Sequence, residues 1–494
     1  MSIQPRKRRP VYALAALVLS GCATTEPITV APQYPDVAPT ERRTSPDTLT
    51  LDSSVVSPMH HEMLAIDLPT VVQVAMADNI DIRQARLQVK ASQGLYDAAR
   101  GRALPTISPL ASFEVVNGAV RATRGNIVDA TFDNVRALLV VDWVINPGLV
   151  AYEIIAARKR LSAIEHQERA VTVGTLHRAV IQYYDLILSQ SRVETARSAL
   201  SEATELLRIN ELRFRAGTGV KADTLRAEAH LAEREQDLLI AMNVFYQASV
   251  SLSVTLRLDS WVTMVPKAGE LGIETLVRDD LSIENLLEIA VTYRPDLQSV
   301  RSIVEAVAAD TGAVAWGGFG PTVGASYLIG GINGSSERVG GLENKGGFTD
   351  TQRFGATVGF RFSAESFGNL RAARAVEAQA ILEGQRMLDL AKAQVVTALE
   401  ASRTNSKLIE KARRQVNAAS EGLRLTQANL KAGTMTTLEV LEAADAMARA
   451  RLRHARAIVG YNQSQVDLLA ALGLVSEETL GIVVATVDAA PQSS

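Results

Sequence analysis

Hydrophobic positions along this chain change their period in a fixed order, and the order occurs twice. From Leu68 the apolar residues Leu68, Val71, Val72, Ala75 and Met76 fall at helical spacing, which predicts a helix over about residues 68–100 that Pro105 terminates. Strand-like runs follow. Next comes a very long helical stretch over about residues 149–214, broken at Gly217-Thr218-Gly219, and a further helix to about residue 258. At 1.5 Å per residue the long helix would extend roughly 100 Å. A helix of that length packs along its flank against similar helices, and the many Ala residues permit close approach.

Within the strand-like runs the period drops to two. Phe354, Ala356, Val358, Phe360 and Phe362 alternate with Gly355, Thr357, Gly359, Arg361 and Ser363. In the earlier run Val135, Ala137, Leu139, Val141, Trp143 and Ile145 share one face, with Arg136 and Asp142 on the other. One face is apolar and the other small or polar, as a strand between lipid and an aqueous lumen requires; taken singly, each run also suits a soluble sandwich. The partner runs at 106–116 and 322–329 alternate less regularly. Glycines 330, 331, 334, 340, 341, 346 and 347 predict an outer loop between residues 329 and 353. Two hairpins are too few to close a barrel, so the pattern implies an oligomer, and three copies would supply twelve strands.

The chain is a duplication. A shift of 216 positions carries Arg215-Ala216-Gly217-Thr218 to Lys431-Ala432-Gly433-Thr434, and also Leu225 to Leu441, Gln247 to Gln463, Leu256 to Leu472 and Pro105-Thr106 to Pro321-Thr322. A shift of 215 carries Val74-Ala75 and Asp81 to Ile289-Ala290 and Asp296. Each unit is too long for a solenoid repeat. The expected organisation is a signal peptide at 1–21, an extended leader at 22–65, a first repeat at 66–258, a linking segment at 259–281, a second repeat at 282–474 and a tail at 475–494.

The N-terminus changes the picture of where this happens. Arg6, Lys7, Arg8 and Arg9 precede a short apolar run from residue 11 to 19, and Leu19-Ser20-Gly21-Cys22 matches a bacterial lipobox. The alternative is an ordinary signal peptide with a chance cysteine, but Cys22 is the one cysteine in the chain and stands where acylation requires it. Ala23 after it favours the outer membrane. Pro27, Pro32, Pro35, Pro39, Pro46 and Pro58 then mark the leader as extended.

Composition mainly excludes. A formal charge of −3 predicts no nucleic-acid partner. His60, His61, His166, His177, His230 and His454 form no HExxH or paired metal-ligand pattern, and His60-His61-Glu62 reads as solvated leader. There is no phosphate-binding loop and no nucleophile motif, so no enzyme and no cofactor are expected.

Leu68-Pro69-Thr70-Val71-Val72-Gln73-Val74-Ala75 with Asn79-Ile80-Asp81, its return over residues 283–290 with Arg294-Pro295-Asp296-Leu297, and Ala432-Gly433-Thr434 ahead of Leu438-Glu439-Val440-Leu441-Glu442-Ala443 together resemble TolC-type outer-membrane efflux proteins over about residues 66–474. The resemblance implies a mainly α fold with β: a homotrimer whose twelve-stranded outer-membrane β-barrel continues into a periplasmic α-helical barrel. It implies a periplasmic adaptor and an inner-membrane pump, either a resistance-nodulation-division pump or an ATP-binding cassette exporter, with small-molecule or metal efflux favoured over type I protein secretion. It also implies pore-narrowing acidic rings at Asp223, Glu439 and Glu442, and adaptor-docking tips at Gly217, Thr218, Gly433 and Thr434. Met435 stands where the family often has an arginine that latches the closed state. The competing expectation is a lipid-anchored coiled-coil spacer that spans no membrane, which leaves the paired strand runs without a purpose.

Overall fold

The structure is a computed structural model describing residues 63–480, except 122–124, 260, 268–270, 279–280, 337–348 and 477. Cys22, the rest of the leader before residue 63, and the tail beyond 480 lie outside the described residues.

In chain order the first half holds β1 (Met63–Ile66), α1 (Leu68–Asp78), α2 (Ile80–Gly101), β2 (Thr106–Arg121), β3 (Ile127–Ile145), α3 (Pro147–Arg215) and α4 (Lys221–Leu256). After β4 (Thr263–Pro266) the same order returns as α5 (Ile283–Tyr293), α6 (Pro295–Phe319), β5 (Pro321–Ser336), β6 (Thr349–Phe360), α7 (Ala364–Ala432) and α8 (Thr437–Leu472). Helix boundaries follow local chemistry. Pro147 stands in the first turn of α3, and Asn146 Oδ1 accepts from Leu149 N at 3.1 Å.

Three boundaries differ from the periodicity. The helix expected over 68–100 breaks at Asn79, whose backbone is extended and whose side chain accepts from Asp81 N at 2.8 Å to start α2 afresh. The strand expected to run through Ser363 stops at Phe360, because Ser363 is the N-cap of α7. Gly330, Gly331 and Gly334, expected in a loop, belong to β5. An alternation pattern cannot locate such ends, since it carries on through a cap unaltered.

β2, β3, β5 and β6 form one antiparallel sheet in that order. Its register joins the two separately predicted faces. Ile107, Val141, Tyr327 and Phe354 lie in one cross-strand row, and Thr106, Asp142, Ser326 and Gly355 in the next. Directly paired residues project to the same side, so the apolar sets of β3 and β6 share one face; the opposite face is mixed, with Leu110, Leu138, Val140 and Leu328 beside its small and polar residues.

Below the sheet the helices stand side by side as a wall, and the two 69-residue helices α3 and α7 run its full height. The shorter helices exchange places about them. Near the sheet the order is α2-α3-α6-α7; further away it is α4-α3-α8-α7. The main core lies where the exchange occurs. There α1, α5 and the parallel pair β1–β4 lie against α3, α7 and α8, burying Leu68, Val71, Leu176, Tyr183, Leu286 and Val466. Residues 63–65, expected in the extended leader, are thus part of a strand that finds its partner 200 residues later.

Candidate functional site

At the end of the wall away from the sheet, α3 turns into α4 and α7 into α8. The two turns are built alike. Gly217 and Gly433 take the left-handed conformation, with φ of 74° and 79°. Thr218 N donates to Arg213 O at 2.9 Å, and Thr434 N to Asn429 O at 3.0 Å. Each threonine hydroxyl then bonds the same carbonyl as its own amide, at 3.2 Å in both turns. This closes the helix ends with a left-handed glycine, which a Cβ would strain.

The helices leaving these turns start differently. Thr436 and Glu439 form a capping box on α8: Thr436 Oγ1 accepts from Glu439 N at 3.4 Å, while Thr436 N and its hydroxyl donate to Glu439 Oε2 at 2.7 and 2.9 Å. Those bonds, the backbone one foremost, hold the Glu439 carboxyl below its ordinary range. In α4 the corresponding N-cap is Val220, which supplies no side-chain bond. Asp223 instead pairs with Arg226 at 3.1 Å. Glu442 lies one turn further along α8 and is exposed. Of the three expected ring acids, then, Glu439 is curled onto its own helix start and Asp223 is paired with a cation. Asp223 and Glu439 begin different helices, which Arg234 of α4 and Asp445 of α8 link further along at 3.8 Å. Met435 is half-buried, its Sδ 3.9 Å from Asn429 Nδ2.

What fastens the second tip to the first hairpin is a pair that sequence reading missed. Thr437, fully buried, donates to Asn210 Oδ1 of α3 at 2.7 Å, and Asn210 Nδ2 donates to Leu206 O at 3.0 Å. Leu206, Leu423, Leu430, Val440 and Met447 close over this bond as a small apolar cluster. Further up, Arg451 of α8 meets Glu202 of α3 at 3.2 Å. The capping box was missed too, although Thr-x-x-Glu is a local signal that could have found it; the Asn210–Thr437 bond has none.

The ends of the repeats show the same economy. Asn79 Nδ2 donates to Thr255 O near the end of α4 at 3.1 Å. At the corresponding place Arg294 Nη1 donates to Ala471 O near the end of α8 at 3.1 Å, while its Nε and Nη2 grip the Asp296 carboxylate at 3.0 and 2.6 Å. Burial alone would raise the Asp296 carboxyl, but the Arg294 contacts outweigh it and leave it below its ordinary range.

Comparisons with known proteins agree with this architecture. The family model for outer membrane efflux protein matches residues 71–256 and 286–474, one stretch in each repeat. The chain is 23% identical over 488 residues to the outer membrane protein OprJ of Pseudomonas aeruginosa, covering 97% of this chain and 98% of the relative. It is 22% identical over 470 residues to nodulation protein T of Rhizobium leguminosarum bv. trifolii, covering 93% and 95%. The solved CmeC outer membrane channel of Campylobacter jejuni superposes with a TM-score of 0.71 at 19% identity, over 83% of this chain and 86% of that one. A chain in which both repeats match the family model and the wall-and-sheet fold matches a solved channel belongs to the outer membrane efflux protein family, the outer-membrane channels of tripartite export systems.

Proposed function

We propose that three copies of this chain close edge to edge into a lipid-anchored duct, with a twelve-stranded barrel in the outer membrane and a helical barrel in the periplasm. The observation that carries this reading is the agreement of the open edges. The sheet ends at β2 and β6, and the wall ends at α2 or α4 on one side and α7 on the other. An open sheet edge inside lipid leaves backbone groups unpaired at several kcal/mol each, so β6 of one copy must meet β2 of the next. The same join brings α7 against the neighbour's α2 above and α4 below.

The exposed face of α4 supports that seam. Leu239, Ile240, Val250 and Val254 are bare, and α4 is long and apolar enough, by length and composition, to cross a membrane. Its neighbours argue for a protein partner. It packs along α3, and Ser249 Oγ of its upper end accepts from Met264 N of β4 at 2.7 Å, which sets it in the helical wall.

Acylation at Cys22 would tether the duct. Some forty residues separate Cys22 from β1, which at full extension reach roughly 130 Å. That exceeds the ~55 Å along α3 from its start to the core level. The domain limits read from the sequence, with the leader from Cys22 and the 259–281 segment as a girdle, belong to the same proposal. At the far end, Gly217, Thr218, Gly433 and Thr434 are the docking tips for a periplasmic adaptor working with an inner-membrane pump. Threefold symmetry would turn Asp223, Glu439 and Glu442 into rings that draw cations. Glu442 is the freest of them and the principal carrier. Small-molecule or metal efflux remains the favoured cargo over secreted protein.

Single-channel recording in a planar bilayer tests this. The purified oligomer should give a cation-selective conductance, and the Glu439→Ser/Glu442→Ser variant should lose selectivity or conduct more. Glu442→Ser alone should account for most of the change. Conductance untouched by these substitutions would move the constriction elsewhere, and failure of the oligomer to insert would end the channel assembly as described.

A further inference from the structure

Between the repeats, residues 271–278 cross the wall as an extended strap that belongs to no strand. Side chains of α8 take up its backbone groups. Asn462 Oδ1 accepts from Glu274 N at 3.0 Å, and its Nδ2 donates to Gly272 O at 2.8 Å. One turn on, Gln465 Oε1 accepts from both Leu276 N at 3.0 Å and Val277 N at 2.8 Å, while its Nε2 donates to Ser402 Oγ of α7 at 2.7 Å. Asn462 and Gln465 are three apart, hence on one helix face, and both are buried. Thr275 Oγ1 lies 3.1 Å from Tyr461 Oη. Two amide side chains of a helix thus serve where a neighbouring strand would.

The strap's one carboxylate among these residues turns the other way, to the first repeat. Glu274 Oε2 accepts from Tyr184 Oη of α3 at 2.6 Å. Tyr184 is 1% exposed. Burial and the adjacent carboxylate push its phenol far above the ordinary range, so it remains a donor. Burial also raises the Glu274 carboxyl, and the bond from Tyr184 offsets this only in part. Among the described residues, the groups bonded to the strap are the Tyr184 phenol from α3 and the Tyr461 phenol and the Asn462 and Gln465 amides from α8; the one cation within residues 271–278 is Arg278.

We propose that residues 271–278 are a proton-operated clasp, in which the charge state of Glu274 sets how firmly the strap ties α3 of the first repeat to α7 and α8 of the second. The docked strap favours the neutral carboxyl, whereas a lifted strap gives the carboxylate to water. Docking is therefore firmest below the ordinary carboxylate range and weakens as pH rises through the raised value. Acid stiffens the wall at mid-height, and neutral pH loosens it. That consequence for the duct rests on the channel reading; the clasp itself does not.

Hydrogen–deuterium exchange on the full-length protein tests the clasp, with each rate corrected for the intrinsic effect of pH. Protection of the Glu274, Leu276 and Val277 amides should fall as pH rises from the ordinary carboxylate range to the raised value of the docked Glu274, by at most about tenfold per unit, and level off above it. Glu274→Gln, neutral throughout, should flatten the profile. Gln465→Ala should lower protection at every pH and keep the slope. A flat wild-type profile, or a Glu274→Gln profile with the wild-type slope, overturns the clasp. A sloping profile beside single-channel currents indifferent to pH overturns its coupling to the duct and leaves the clasp standing.

Discussion

The internal duplication supplies its own control for one stability prediction, the replacement of Arg294 by Met. Arg294 is 8% exposed, and its guanidinium bonds the Ala471 carbonyl and both oxygens of Asp296. Losing a bond from a charged donor costs about 1.5–3 kcal/mol. Stranding a fully buried charge costs ~3–5 kcal/mol, but the Asp296 side chain is 28% exposed, so roughly half of that applies. One guanidinium makes both interactions and the terms overlap, which leaves about 2–4 kcal/mol. The loss is local to the end of α8, where Gly473 N donates to Ala470 O and Leu474 N to Leu469 O, both at 3.0 Å. Hydrogen–deuterium exchange of those two amides should accelerate by roughly 30-fold to 1,000-fold, at ~1.4 kcal/mol per tenfold. In the first repeat, Asn79→Ser keeps an N-cap for α2 but removes the neutral bond to Thr255 O, worth ~1 kcal/mol, so the Arg257 and Leu258 amides should quicken only about fivefold. The wild-type contribution of the Arg294–Asp296 pair is present in full above the ordinary carboxylate range and disappears as pH falls through the depressed value, the reverse of Glu274. An Arg294→Met acceleration below about threefold, or equal effects in the two repeats, would refute the reasoning.

Other outcomes follow from the turns and the tip. Thr437→Val keeps the buried shape but leaves Asn210 Oδ1 without its donor, so the second tip should lose about 1–3 kcal/mol, seen as faster limited proteolysis at the α7–α8 turn. Gly433→Ala should cost roughly 1–2 kcal/mol in thermal or denaturant unfolding, from the left-handed backbone alone, since nothing lies within 4 Å of an added Cβ. Gly473→Ala should cost more, because its Cβ would also stand 2.7 Å from Arg294 Cα; equal losses at the two sites would contradict this. Thr436→Ala should fray the start of α8 by about 1 kcal/mol, detectable as lost protection of the Glu439 amide, while Val220→Thr in the uncapped α4 should gain protection there.

Much of this molecule was legible in its sequence. Periods of 3.6 and 2 mark helices and strands because each fixes which side chains share a face, and Gly217 and Gly433 mark the turns because a left-handed backbone excludes a Cβ without strain. The near-constant offset between the repeats required the same elements twice, whereas the Thr436-x-x-Glu439 capping signal was passed over. Periodicity did not mark the ends set by Asn79 and Ser363, where a polar side chain competes for backbone donors against a continuing pattern.

The tertiary structure alone decided who meets whom. An amphipathic helix specifies a buried face but not the helix that covers it, and along Ala-rich helices several partners and registers offer similar contacts. Hence the exchange of α2 for α4 and of α6 for α8 about the long helices could not be read in advance. Neither could Thr437 finding Asn210, Gln465 holding a strap 188 residues away, or β1 pairing with β4 across the first repeat. Such contacts depend on chain closure over long separations, and the residues that make them carry no local mark of their partners.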